Sequence, residues 1–222
     1  MLSLGRIRRA VQPLALRYWL NRRAAKTVTT RLQGFQLTVF PSVFHPRYFG
    51  SSSILARFVS SLNLSGKAFL EVGCGSGIVA MCAARAGAVV TAVDINPEAV
   101  RCARHNARNN GLTIDVLESD IFSSLGARRF DVIAWNPPYL PRDPANVSER
   151  AFYGGLQFDV IRRFAAEARR HMTLDGAVYS LLSADVDIPA IEEIFRAQQF
   201  SVDRAFSTQW GLGETMFILC AR

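Results

Sequence analysis

The chain has 222 residues, half of them hydrophobic, and a formal net charge of +8 at pH 7. This composition excludes a disordered chain and suits one α/β domain with a full core plus an appendage. No stretch approaches the ~20 uninterrupted apolar residues of a membrane-spanning helix. The Arg-rich start lacks the apolar segment and cleavage site of a secretory leader, so we expect a cytoplasmic protein. The same segment resembles an organellar transit peptide, which leaves that alternative open.

The positive charge is concentrated at the N-terminus. The first 70 residues contain eleven arginines and lysines and no acid, whereas the rest of the chain carries a net charge of −3. Within residues 4–25, apolar side chains recur at helical spacing between the arginines, at Ile7, Val11, Leu14 and Tyr18. This pattern predicts a basic amphipathic helix, so we assign residues 1–40 to a basic helical arm and residues 41–222 to the main domain.

The arm has two interpretations. Its apolar stripe would pack on its own domain, as such stripes commonly do. Alternatively, its positive charge would bind RNA, an anionic membrane or an acidic partner.

The cysteines match no metal or redox spacing. Cys74, Cys82, Cys102 and Cys220 are scattered, and no CxxC pair occurs. We therefore expect free thiols in a reducing cytosol and no metal site.

The elements that follow the arm change character along the chain. Residues 34–47 alternate like a strand or short hairpin, and residues 51–64 predict a helix capped by one of the serines 51 to 53. From residue 67, buried strands alternate with helices, which predicts a doubly wound, mainly parallel sheet with helices on both faces. Residues 200–222 give two strand-like runs around a glycine-containing turn, typical of an antiparallel C-terminal hairpin.

A glycine-rich junction follows the first strand of this alternation. In "FLEVGCGSGIVA", Gly73, Gly75 and Gly77 would let the backbone approach a ligand, and the helix behind them would offer free N–H groups. Ile78 stands where the dinucleotide fingerprint requires Gly or Ala, which disfavours a dinucleotide. The P-loop pattern of nucleotide triphosphatases is also absent from the sequence.

Acids follow the next two strands. Asp94 ends the second strand 17 residues after Gly77, where a carboxylate can accept both hydroxyls of a ribose. Asp120 follows the third strand and would accept the exocyclic amine of an adenine. Each acid alone would be a helix cap or a solvated charge. Together with Glu71 and the glycines, at strand ends that converge on one crevice, they indicate a nucleoside-containing ligand.

The stretch "AWNPPYLP", residues 134–141, ends an apolar strand in two prolines. Proline fixes its own φ and pushes the preceding residue toward extended geometry, so Asn136 and Pro137 are held stiffly. Such stiffness suits a turn. It equally suits a site that aims the Asn136 side-chain oxygen and the Pro137 carbonyl at one target.

Together these motifs resemble the class I S-adenosylmethionine-dependent methyltransferases, over roughly residues 43–222. "EVGCGSG" looks like their cofactor loop, "AVDINPEAV" like their ribose site, "ESDIF" like their adenine site and "NPPY" like the signature of members that methylate planar nitrogens. The resemblance implies a Rossmann-like sheet of seven strands and S-adenosyl-L-methionine as the cofactor. It implies cofactor contacts from Glu71, Gly73, Gly75, Gly77, Asp94, Ile95, Asp120, Ile121 and Asn136.

The resemblance also gives the proline motif a chemical role. An amide or aromatic-amine nitrogen is a poor nucleophile because its lone pair is delocalised. Two acceptors, Asn136 and the Pro137 carbonyl, would hold and polarise it by orientation and preorganised dipoles. Pro138 would add rigidity and Tyr139 would stack on a flat substrate, which completes the predicted catalytic set. The three histidines are interpreted as structural or solvated.

Within this subset the chain is most similar to the HemK-type glutamine methyltransferases of release factors. "NPPYLP", "AFYGGLQFDVIRRF" and the upstream "VFHP" carry the similarity. In place of the helical substrate-recognition domain of the bacterial members, a basic segment of about 40 residues precedes "VFHP". Shorter archaeal and eukaryotic members would need a partner subunit.

We therefore expect an N-methyltransferase whose acceptor is a protein glutamine. The alternatives are an RNA, or less favoured DNA, amino-methyltransferase that grips phosphates with its basic arm, a small-molecule N-methyltransferase, and a non-catalytic binding module.

Overall fold

The computed structural model describes residues 26–46, 50–147, 149–211 and 213–222. The amphipathic helix predicted over residues 4–25 lies outside these ranges and stays a prediction. Within them, no helix combines the length and apolar character needed to cross a membrane.

The described chain opens with an antiparallel hairpin. Strand β1 (Val28–Leu32) pairs with β2 (Phe35–Val39). Phe35 and Leu37, on the inner side of β2, join the main core. The hairpin, which falls within the residues assigned to the arm, therefore packs on the main core, and the boundary after residue 40 stays a prediction.

The remaining elements follow the predicted alternation of strands and helices. They are α1 (Ser51–Ser60), β3 (Ala68–Val72), α2 (Ile78–Arg85), β4 (Val89–Asp94), α3 (Pro97–Asn109), β5 (Asp115–Glu118), β6 (Phe130–Trp135), α4 (Asp159–Ala168), β7 (Met172–Ser183), α5 (Ile188–Ala197), β8 (Val202–Trp210) and β9 (Glu214–Ala221).

The central sheet has seven strands in the order β5-β4-β3-β6-β7-β9-β8. Its inner strands are parallel, whereas β9 pairs antiparallel with both β7 and β8. The predicted doubly wound fold with a reversed C-terminal hairpin is thus confirmed. The order reverses at β3, which lies between β4 and β6, and α/β sheets bind ligands at such a switch point.

Each face of the sheet has its own core. Adjacent residues of a strand point to opposite faces, so Phe69 packs with α1, α2 and the hairpin while Leu70 packs with α4 and α5. Because both faces are covered, the inner strands carry apolar residues on both sides rather than on alternate positions only.

A buried asparagine connects the hairpin to the sheet. The Asn106 carboxamide, on α3, accepts the Thr38 N–H at 2.8 Å and donates to the carbonyls of Thr38 and Ser76 at 3.0 and 2.9 Å. These bonds join β2 to the loop after β3, so the hairpin helps to hold that loop.

The start of α1 differs from the prediction. No serine side chain caps the helix, and its N-cap is Gly50, in the left-handed region at φ 68°. A Cβ at residue 50 would overlap the indole ring of Trp210. Only glycine fits both the left-handed backbone and the contact with Trp210. Glycine therefore occupies the N-cap position, and the serines begin at the first residue of the helix.

Candidate active site

A cavity of about 340 Å³ lies at the carboxyl edge of the sheet, by the switch point. This volume is within the usual range for a small-molecule site. Its predicted site residues come from the ends of four strands: Gly73, Gly75, Asp94, Ile95, Asp120, Ile121, Asn136 and Pro138. The structure therefore brings most of the predicted residues together, whereas Glu71, Gly77, Pro137 and Tyr139 do not line this cavity.

The glycine loop approaches the cavity through its backbone. Gly73, Gly75 and Gly77 all have positive φ, and the Gly75 N–H donates to Asp94 Oδ2 at 2.8 Å. Gly77 has a different task. A Cβ there would lie 3.0 Å from the Cβ of Ala103, so Gly77 permits the close packing of α2 on α3.

Glu71 does not line the cavity but supports the helix that follows the glycine loop. Its side chain is 5% exposed, and Oε2 accepts the Ala80 N–H at 2.7 Å, one of the free donors in the first turn of α2. Burial raises the pKa of this carboxyl well above its ordinary value, against the Ala80 hydrogen bond, and the nearby Asp94 raises it further. Glu71 thus anchors the helix that begins after the glycine loop.

Asp94 lies between the loop and helix α3. In addition to the Gly75 bond, Oδ1 accepts the Asn96 N–H at 2.9 Å. Burial raises the pKa of Asp94, and the amides of Asn96, Gly75 and Ile95 lower it in part. A carboxylate has about four acceptor positions, so these bonds leave capacity for the hydroxyls of a ligand.

The turn after β5 combines a weak ion pair with a strained residue. Asp120 Oδ2 accepts from Arg163 Nη2 at 2.9 Å, with side chains 42% and 52% exposed, so the pair is readily exchanged for a ligand contact. Ile121 has φ 54°, a left-handed conformation that is rare for a β-branched residue. The Ser119 hydroxyl holds it by donating to its carbonyl at 3.0 Å. Strain of this kind costs roughly 1–3 kcal/mol and concentrates at functional sites.

The other side of the cavity is built on the end of β6. Asn136 lines the cavity, and its Nδ2 donates to the Ser51 hydroxyl at 3.1 Å. The preceding Trp135 stacks on Phe164 of α4 at 3.9 Å between ring centroids, which fixes the strand end. The carboxamide oxygen of Asn136 takes no part in the Ser51 bond and keeps its acceptor capacity.

Tyr139 packs away from the cavity. Its ring contacts the core beneath α4 and α5, and burial, with smaller contributions from Glu214 and Asp185, raises its pKa. In this structure the Tyr139 ring anchors the proline segment, and its stacking on a substrate stays a prediction.

A second segment holds the prolines in place. A Cβ at Gly154 would overlap the Pro138 carbonyl, and the Gly154 N–H donates to the Leu140 carbonyl at 3.1 Å. Tyr153 and Arg150, from the same segment, line the cavity. The close approach explains why a glycine pair follows Tyr153.

Sequence reasoning missed several residues of the site. The glycine pair was a usable signal for Gly154, whereas the serine run was interpreted as a helix cap. Arg163 gave no signal, because it resembles any exposed arginine on a helix.

Comparison with known proteins gives these observations a context. The family described as methyltransferase small domain matches residues 36–205. A putative protein N5-glutamine methyltransferase of Methanocaldococcus jannaschii is 34% identical over 159 residues, 69% of this chain and 78% of that protein. A release factor glutamine methyltransferase of Geobacter sulfurreducens is 33% identical over 115 residues. That match covers 51% of this chain and 40% of the relative, so the chain spans less than half of this bacterial protein.

Solved structures show the same fold. A 16S rRNA N2 methyltransferase from T. thermophilus, in complex with AdoMet and guanosine, superposes with a TM-score of 0.67 at 21% identity. The superposition covers 89% of this chain and 50% of that one.

Proposed function

Because this chain belongs to the methyltransferase small domain family, and within it is most like the HemK-type enzymes, we propose that it methylates the side-chain nitrogen of a protein glutamine with S-adenosyl-L-methionine. One observation carries the proposal. Asn136, the first residue of the proline motif, lines the same cavity as the glycine loop and Asp94. The residues proposed to bind the methyl donor and the residue proposed to orient the acceptor therefore line one cavity.

The residues on one side of the cavity fit the cofactor. Gly73 and Gly75 offer close backbone approach, and Asp94 keeps acceptor capacity for ribose hydroxyls. Asp120 and Ile121 also line the cavity and would hold the adenine. When bound, the cofactor supplies an electrophilic methyl group on a sulfonium.

The residues on the other side fit a planar nitrogen. A primary amide has two N–H groups in its plane and a lone pair that is delocalised into the carbonyl. Of the two predicted acceptors, Asn136 lines the cavity and Pro137 does not. Asn136 Oδ1 would accept one N–H, which orients the nitrogen and polarises it without a strong base. Gly154 and Ser51 keep this segment rigid through the contacts described above.

The experiment combines the pure protein, methyl-labelled S-adenosylmethionine and an unfractionated cell extract. We expect label in a protease-sensitive band, mapped by tandem mass spectrometry to a glutamine. Asn136→Ala should abolish the label. Asn109→Ala, an exposed asparagine on α3, is the matched control and should keep it. Absence of any macromolecular label would overturn the proposal in favour of a small-molecule acceptor or a binding module.

The charge asymmetry favours RNA as the second candidate acceptor. Eleven basic residues and no acid precede residue 71, and such a segment would contact phosphates. RNase-sensitive label would support this candidate. Deleting residues 1–25, which leaves the β1–β2 hairpin intact, should then flatten the salt dependence of binding. An unaltered salt slope would assign the segment to packing instead.

A further inference from the structure

Ser51 and Asn136 are hydrogen-bonded although they lie 85 positions apart in the chain. The donor is Asn136 Nδ2 and the acceptor is Ser51 Oγ, at 3.1 Å. Ser51 is only 5% exposed. Removing the Asn136 carboxamide would therefore leave the buried Ser51 hydroxyl without this partner, which is costly.

The start of helix α1 explains why this hydroxyl is available. A serine at a helix N-cap normally uses its oxygen to accept an N–H of its own helix. Here Gly50 occupies the N-cap, without a side-chain cap bond, and Trp210 covers it. Ser51 therefore stands one position inside the helix and directs its hydroxyl to Asn136.

In the structure this bond engages the NH₂ end of the carboxamide and leaves Oδ1 outside it. An asparagine side chain carries an acceptor oxygen and a donor NH₂ of nearly equal size. A half-turn of the group would present NH₂ to the N–H groups of an acceptor amide and repel them. We propose that Ser51 is a positioning residue that, by accepting from Nδ2, keeps Oδ1 toward the methyl-accepting nitrogen. The inference rests on the proposed function of Asn136.

The first test detects the hydrogen bond between Asn136 Nδ2 and Ser51 by NMR, without any methyl transfer. In a ¹⁵N-labelled protein, the two Nδ2 protons of Asn136 are assigned by their loss in Asn136→Ala. Ser51→Ala should shift these resonances and speed their exchange with water. Ser60→Ala is the matched control, since Ser60 lies on the same helix and donates to the Ala56 carbonyl. Unshifted resonances in Ser51→Ala would overturn the inference.

The second test is kinetic. Ser51→Ala should lower kcat about tenfold, the order of one neutral hydrogen bond, with the KM for the cofactor unchanged. Ser51→Thr and Ser51→Val have nearly the same shape, and only the first keeps the hydroxyl, so Thr should restore kcat and Val should not. Equal kcat for these two variants would reject the positioning role even if the alanine variant were unstable.

The two tests separate the inference from the function on which it rests. If the wild-type protein methylates no glutamine, the proposed function fails, and the resonances still decide whether Ser51 holds Asn136. If Asn136→Ala abolishes transfer and Ser51→Ala is as active as wild type, the function stands and the role of Ser51 falls.

Discussion

The two sides of the cavity are held together in different ways. Around the glycine loop, the bonds join neighbouring segments: Gly75 to Asp94 over 19 positions and Glu71 to Ala80 over 9. On the acceptor side, Asn136 is bonded to Ser51 over 85 positions, and Pro138 is packed against Gly154. The glycine loop is thus held by elements next to it in the chain, whereas Asn136 is held by the start of a helix 85 positions earlier.

The substitution Asn136→Ala should separate the acceptor side of the cavity from the cofactor side most clearly. Because it removes an orienting acceptor and leaves the glycine loop intact, kcat should fall on the order of 10²–10³-fold, as for loss of one preorganised polar group. The dissociation constant for S-adenosylmethionine, measured by calorimetry, should change by less than about twofold. Parallel losses of binding and turnover would show that the two sides are not independent.

Asp94→Ala tests the cofactor side. It removes a carboxylate that holds the Gly75 and Asn96 amides and is proposed to bind the ribose. Since hydrogen bonds to a charged group contribute roughly 1.5–3 kcal/mol, cofactor affinity should fall about 10- to 100-fold. The kcat at saturating cofactor should change little. Asp115→Ala, which removes only an exposed ion pair with Arg128, is the control. An unchanged dissociation constant for S-adenosylmethionine in Asp94→Ala would refute the ribose role.

Gly154→Ala tests how strictly the proline segment is held. The new methyl group would overlap the Pro138 carbonyl, and overpacking of this kind costs about 1–3 kcal/mol. We expect a lower free energy of unfolding in urea together with a reduced kcat. Gly126→Ala has open space around its Cβ but a positive φ of 57°, so it tests the backbone cost of replacing a glycine without any overlap. Wild-type turnover in Gly154→Ala would mean that the segment tolerates displacement.

The smallest expected effect is that of Glu71→Gln. Burial raises the pKa of Glu71 above its ordinary 4.5, so folding favours the protonated form. The stability that this form contributes is complete below pH 4.5 and is lost as the pH rises through the folded-state pKa. The glutamine variant cannot ionise, and its free energy of unfolding relative to wild type should therefore increase with pH above 4.5.

The measurement is urea denaturation at several pH values between 4 and 8. Glu193→Gln, on the exposed side of α5, is the matched control and should show no such trend. If the free energies of unfolding of wild type and Glu71→Gln changed with pH in the same way, the raised pKa of the buried Glu71 carboxyl would be contradicted.

Much of the architecture follows from local pattern. Pro97 at the start of α3 and Gly111 after its end set the limits of that helix. The alternation of strands and helices from residue 67 implied a parallel sheet, and the parallel strand ends placed Gly75, Asp94 and Asp120 around one crevice. These features depend on neighbouring residues, so the sequence by itself determined them.

Other features were decided by tertiary structure. Glu71 turns to the start of α2 and Tyr139 to the core, because the space around each residue is shaped by elements elsewhere in the chain. Trp210 admits only glycine at position 50, and the next residue, Ser51, bonds to Asn136 from 85 positions away. Local propensity specifies which residues start, end and stiffen an element. The bond between Ser51 and Asn136, which are 85 positions apart, depends on how the helices and strands pack, so local pattern could not predict it.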